Sequence, residues 1–457
     1  MRDIAVSIVV SALLILALRH PVVGAYLWAW LSLMNPHKMT YGFAYSMPFA
    51  QAAALVTLFG FAFAGQRRRM VSGPLVTLLL ALFLWMTLTS FFAIAPVERV
   101  QDRWIQVAKI QLMLLVSLCL ILDARQLRIL IWVVALSVGF FGIKGGIWTV
   151  LTGGGGRVWG PPGSMLQGNN ELAVALVLLL PMFYFLQHTE TRRWLRNVIG
   201  LAMLPIAFAI LGSQSRGALL ALLVMAFFLG VKGKYPVRTT LLLAVGVALA
   251  IAFMPESWSQ RMETISNYEL DSSAMSRIWT WTTLWNVAVD RPLVGAGFAA
   301  DNLEVFGRYA PRESVFAMFD GQVFVAHSIY FQMLGEHGFV GLALFLLLGI
   351  TTWVSAGRLA RKAAKVSAYA GWMPLLMRMS QVSLVGYASG GAFLSLAYMD
   401  LPYYIVGFVV ICHMLLRQPA GVTSEDGVSA AAASAPAGLS RGTISGPARA
   451  MEKSSPR

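Results

Sequence analysis

His327 and Ser328 close a long polar stretch, and nine residues later Gly338-Phe-Val-Gly341 opens an apolar run. An imidazole that titrates near neutral pH can take a proton from an attacking hydroxyl. Arg216 stands in Gly212-Ser-Gln-Ser-Arg-Gly217, a tight turn between two apolar runs. The flanking glycines let the backbone turn sharply, and a guanidinium held there can bond a phosphate through two parallel N–H groups. Arg277 begins an amphipathic stretch, and Arg157 follows Gly153–Gly156 and precedes Trp-Gly-Pro-Pro-Gly. Lys144 sits late in the apolar run before it. A histidine and several cations beside apolar segments suggest chemistry on a lipid-linked anion.

Each candidate has a plainer reading. A lone histidine is usually a satisfied structural residue, and an arginine near a bilayer surface can simply snorkel to ordinary headgroups. Asn169 or Asn170 could cap the helix that follows, although the N-terminus of that helix would also favour an anion. Glu336 and His337 compete with His327 for the base, or else orient the site or cap a helix break before Gly338. The short turn around Arg216 favours the functional reading there, whereas Arg277 divides evenly between a phosphate clamp and a lipid contact.

These groups need elements to hold them. The 457 residues are 58% hydrophobic and only 12% charged, about half the charged share of a soluble globule. Apolar runs recur at 4–18, 22–34, 50–64, 74–94, 108–122, 129–150, 171–187, 197–212, 217–231, 239–254, 338–356, 381–398 and 402–416. Backbone polar groups in lipid must be satisfied internally, so runs of this length are membrane helices. The net charge of +15 lies mostly in short loops between runs, such as Arg67-Arg68-Arg69 and Arg192-Arg193, and so reflects topology rather than nucleic acid. Those loops face inward, and 255–337 is the long outward segment. Reading 4–34 as one span broken at Arg19-His20-Pro21 gives about twelve crossings with both termini inside; two separate runs give about thirteen.

The expected fold is therefore an all-α polytopic membrane protein with about twelve spans and one large, partly helical outer loop. Its parts are membrane helices over 1–254, the loop domain over 255–337, further membrane helices over 338–418, and a disordered inward tail over 419–457, rich in Ala, Ser, Gly and Pro. Ser272 to Val289 is predicted as an amphipathic helix whose tryptophans suit the headgroup layer. Cys119 and Cys412 lie inside apolar runs and point to packing. No CxxC or HExxH occurs, and no pair of acidic residues has metal-ligand spacing, so neither a metal nor a cofactor is expected.

With these residues in view, the chain resembles the O-antigen ligase and polymerase superfamily of bacterial envelope glycosyltransferases. Arg216-Gly-Ala-Leu-Leu220 resembles its Arg-x-x-x-Leu signature, and Pro292-Leu-Val-Gly-Ala-Gly-Phe298 its Pro-x-x-Gly-x-Gly segment. His327-Ser328, nine residues, Gly338, two residues and Gly341 resemble the ligase motif His-[Asn/Ser/Gln]-x9-Gly-x-x-[Gly/Thr/Tyr]. The N-terminal third, with Gly160-Pro-Pro-Gly163 and Gly168-Asn-Asn-Glu171, resembles the branch found beside exosortase-type systems, the O-glycosylation ligases.

The resemblance implies transfer of a glycan from undecaprenyl diphosphate to lipid A-core on the periplasmic face of a bacterial inner membrane, with inversion and without metal. It also allows another lipid-linked repeat, or a protein hydroxyl, as acceptor. In this reading Arg216 and Arg277, helped by Arg157 or Lys144, hold the diphosphate, and His327 is the base. Ser328, Glu336, His337, Gly338, Gly341 and Asn170 support the site. The partners are the two lipid substrates and bilayer lipid; protein partners stay open. A flippase for lipid-linked sugars would show inverted repeats and charged helices at the midplane, and no internal repeat is visible.

Overall fold

Pro21, Pro74 and Pro374 each open a helix, where a missing N–H costs nothing, and Asp123 accepts from the Gln126 amide at 2.8 Å to cap another. In the computed structural model, residues 1–63, 68–235 and 272–417 are described, with four isolated positions between 236 and 271. Apart from those positions, the run expected at 239–254, the expected outer segment up to 271 and the tail from 419 lie outside the described residues. No strand occurs among the described residues.

The helices are α1 (Arg2–Arg19), α2 (Pro21–Met34), α3 (Phe49–Phe63), α4 (Pro74–Ser90), α5 (Val97–Leu120), α6 (Ala124–Leu151), α7 (Asn169–Thr189), α8 (Arg193–Gly212) and α9 (Arg216–Lys232). After the gap come α10 (Ser272–Asp290), α11 (Leu303–Tyr309), α12 (Ile329–Ala363), α13 (Ser367–Ala370), α14 (Met373–Gly391) and α15 (Asp400–Arg417). Six of these, α5, α6, α7, α8, α12 and α15, are long and apolar enough to cross a membrane, against the dozen crossings expected. α2, α3 and α4 are shorter apolar helices. The protein is a helical membrane protein.

α1 and α2 correct one expectation. Asp3, at the start of α1, accepts from the amides of Gly42 and Ala44, which lie beyond the end of α2. Arg2 also lies over the Tyr41 ring. The two helices therefore form a hairpin closed at His20, with Val10, Leu27, Leu31 and Ala53 of α3 in a common cluster. Residues 4–34 are not one broken span: Pro21 starts a new helix instead of kinking the old one.

The core centres on α7 and α15, which are buried along nearly their whole lengths, as suits helices that are apolar all round. α14 packs between α7, α9 and α12, and α6 packs on α8. The α6–α8 contact is close because Gly146 leaves no side chain where the Pro205 carbonyl passes. Residues 1–416 form one unit.

α10 forms over the predicted stretch and lies on α12. Trp279, expected in the headgroup layer, is 3% exposed and packs with Phe306, Phe319 and Phe324 in a small core formed between α10 and α12. Trp281 stacks on Phe331 and donates to the Ala326 carbonyl at 2.8 Å. Only Trp285 is about half exposed. The tryptophans therefore serve mainly to fix α10 against the segment that carries His327.

Candidate active site

The turn before α9 is built by its serines. Ser213 Oγ donates to the Ile210 carbonyl at 2.6 Å, Gln214 takes a left-handed φ of 56°, and Ser215 Oγ accepts from the Ala218 amide at 3.2 Å. This places Arg216 in the first turn of α9. Asn169 donates to the Ser213 carbonyl at 2.7 Å and ties the start of α7 to the same turn. Gly168 is the N-cap of α7 without a side-chain cap bond, so neither asparagine plays that part.

Arg216, Arg277 and Asn170 meet at one cavity of about 70 Å³, together with Gln214, Ser215 and Ser273. Phe393 and Leu394, in the turn between α14 and α15, close its apolar side. The polar lining and two guanidiniums suit a small, strongly charged anion.

His327 lies beside this cavity. Its amide donates at 2.8 Å to the hydroxyl of Ser395, the residue after Leu394. Its φ of 47° turns the chain into α12, whose N-cap is Ser328, with Oγ accepting from the Phe331 amide at 3.5 Å. The ring Nδ1 is 2.9 Å from the Val325 carbonyl. A carbonyl only accepts, so Nδ1 carries the proton and Nε2 of the neutral ring is the basic nitrogen. Burial holds this imidazole below the ordinary histidine value; the Val325 bond opposes that, and the charge of Arg277 adds to it.

Glu336 and His337 are buried away from the Arg216 cavity. Glu336 Oε1 accepts from the amides of Ala299 at 3.1 Å and Ala300 at 3.4 Å, and Oε2 accepts from the Tyr398 hydroxyl. His337 Nε2 is 2.7 Å from that hydroxyl, and Nδ1 is 2.6 Å from Thr89 Oγ1. Trp85 donates to the His337 carbonyl at 3.0 Å. Of the readings open to this pair, capping the helix break fits this geometry.

The break itself is at Gly338, with φ 68° and ψ −172° inside α12. Gly335 accepts from the Ala296 amide and Phe339 donates to the Pro292 carbonyl, each at 2.8 Å. A Cβ at Gly338 would collide with the Pro292 and Leu293 carbonyls. The Pro292–Phe298 segment is thus the partner of the interrupted helix. Gly341 leaves room for the His337 side chain, whose Cβ lies where a Cβ of residue 341 would stand.

Arg157 and Lys144 do not join Arg216 and Arg277. They line a separate, larger cleft with Arg2 and Lys38. Sequence reasoning passed over Gln214, Ser273, Ser395, Thr89 and Tyr398; Gly390-Gly391 inside the run at 381–398 was the available sign that α14 ends early. An apolar groove of about 280 Å³ also begins at Ile329 and Tyr330, directly after Ser328, and passes Leu348 and Gly349 to Pro402. Among the described residues, no three His, Cys, Asp or Glu side chains gather as a metal-binding group.

Residues 201–346 match the O-antigen ligase family. This match supports membership of the O-antigen ligase and polymerase superfamily. The ligase match spans Arg216, Arg277, His327 and the Gly338 break, and thus most of the geometry above. Residues 1–191 match a family of unknown function (DUF5935), which takes in Lys144, Arg157 and Asn170. No curated protein matches the chain. The ligase family accounts for glycan transfer of the ligase or polymerase type and for lipid-linked donors and acceptors as a class.

Proposed function

We propose that the protein is an inverting glycosyltransferase that moves O-antigen glycan from undecaprenyl diphosphate to the lipid A-core of lipopolysaccharide, at the periplasmic face of the inner membrane. One observation carries this reading: two arginines from different segments meet in one polar cavity, and a histidine with a basic Nε2 stands beside it.

Arg216 and Arg277 hold the diphosphate and neutralise the charge that grows on it as the glycosidic bond breaks. Asn170 adds a neutral donor. His327 Nε2 takes the proton of the acceptor hydroxyl as that oxygen attacks the anomeric carbon, opposite the leaving diphosphate. The apolar groove from Ile329 to Pro402 offers the isoprenoid chain a path into the bilayer. A lipid-linked repeat as acceptor would make the same site a polymerase, and a protein hydroxyl would make it an oligosaccharyltransferase.

The test is a reconstitution with purified protein, undecaprenyl-diphosphate glycan and lipid A-core in EDTA. Glycosylated lipid A-core from wild type, with a loss of about 10²–10⁴-fold in His327→Ala, is the expected result. Full activity in His327→Ala would remove the base assignment. Product only on lipid-linked repeats or on peptides would replace the acceptor.

A further inference from the structure

Four cations line a cleft of about 1110 Å³, and no carboxylate is among its lining residues. They come from distant parts of the chain: Arg2 from α1, Lys38 after α2, Lys144 from α6 and Arg157 from the loop before α7. Trp148 and Trp159 line it too, 53% and 58% exposed. Asp3, on the same helix end as Arg2, is turned to the Gly42 and Ala44 amides.

Cations bind phosphate, and flat exposed aromatic faces pack against sugar rings. The cleft has more than ten times the volume of the Arg216 cavity and suits a headgroup of several sugars. We propose that this cleft binds the phosphorylated sugar headgroup of a second membrane lipid, the acceptor glycolipid. The inference rests on the transferase reading above, in which two lipids must be held at once and each needs its own cations.

The loop between α6 and α7 links the two places. Val158 donates to the Gly212 carbonyl at 3.3 Å, and Gln214 of the Arg216 turn donates to the Gly154 carbonyl at 3.5 Å. Asn35, near Lys38, donates to the Pro162 carbonyl at 3.2 Å. One loop therefore carries Arg157 into the cleft, and at its end Asn170 reaches the donor cavity.

The experiment measures binding rather than transfer, so its outcome does not depend on catalysis. Full-length wild type and the Lys144→Gln/Arg157→Gln variant are titrated in detergent with lipid A-core, undecaprenyl diphosphate and phosphatidylglycerol. Both side chains are exposed, and thermal unfolding of the two proteins should coincide. The variant is expected to lose about 10–100-fold in affinity for lipid A-core, the worth of one or two charged hydrogen bonds, with undecaprenyl diphosphate unaffected. Unchanged lipid A-core affinity would overturn the proposal. So would an equal loss for undecaprenyl diphosphate, which would return the cleft to the donor, or for phosphatidylglycerol, which would make it a general lipid anchor. If wild type binds undecaprenyl diphosphate but not lipid A-core, this inference falls while the donor reading stands.

Discussion

Tyr398 donates its hydroxyl proton to Glu336, 62 residues earlier in the chain, and the same oxygen lies 2.7 Å from His337 Nε2. One phenol thus joins the turn before α15 to both polar residues that precede the Gly338 break. With the Tyr398 proton on Glu336, His337 Nε2–H donates to the phenol oxygen, and Nδ1 shares the Thr89 hydroxyl with the Met86 carbonyl, so both ring nitrogens have a partner.

Tyr398→Phe keeps the ring and removes that oxygen, leaving Glu336 and His337 each short of a partner in a buried setting. It should destabilise the protein by about 1–3 kcal/mol. Thermal unfolding in detergent checks this. A Tm equal to wild type would mean that the network does not hold the break.

Arg216→Lys retains charge but not the planar pair of donors. The affinity for undecaprenyl diphosphate should fall about tenfold, the worth of one charge-assisted bond. Wild-type affinity would show that a point charge at this turn is enough.

The pH dependence follows from His327. In the proposed mechanism its free-base form is the reactive one, and burial with Arg277 lowers its pKa from the ordinary 6.5. The acid limb of the rate profile should therefore lie below pH 6.5, with the base still competent where an ordinary histidine is half protonated. Arg277→Gln removes one lowering cause, so NMR titration of the ring should move upward. A downward move would contradict the placement of that charge.

Gly349 lines the apolar groove and has open space where a side chain would begin. Gly349→Trp should fill the groove without disturbing the packing. KM for a donor with a full isoprenoid tail should rise severalfold, while a short-tailed analogue is affected less. An equal effect on both donors would place the tail elsewhere.

Much of the helical frame was readable, because apolar length and proline position act locally. α10 was readable from its period, yet the burial of Trp279 was not: a tryptophan suits a headgroup layer or a small core equally, and only the phenylalanines folded over it decide. The α1–α2 hairpin was hidden because Arg19-His20-Pro21 permits a kink or a reversal. Arg216 and Arg277 stood out by their neighbours. The separation of Lys144 and Arg157 from them depends on how one loop threads between two cavities, which no spacing encodes. Tyr398 and Thr89 sit in apolar runs, and their roles exist only through contacts with residues far away in the chain.

The nine residues between Ser328 and Gly338 act as a ruler. They make two and a half turns, about 14 Å of helix, clamped at one end by the Ser328 cap and at the other by the carbonyls of Pro292 and Leu293. An extra residue would swing His327 about 100° around the axis, away from Arg277 and Ser395, while leaving composition, hydropathy and the membrane span untouched. The fixed interval is thus a phase relation between an anchored helix and the proposed base, so a lengthened interval should abolish transfer in a protein that still inserts and folds.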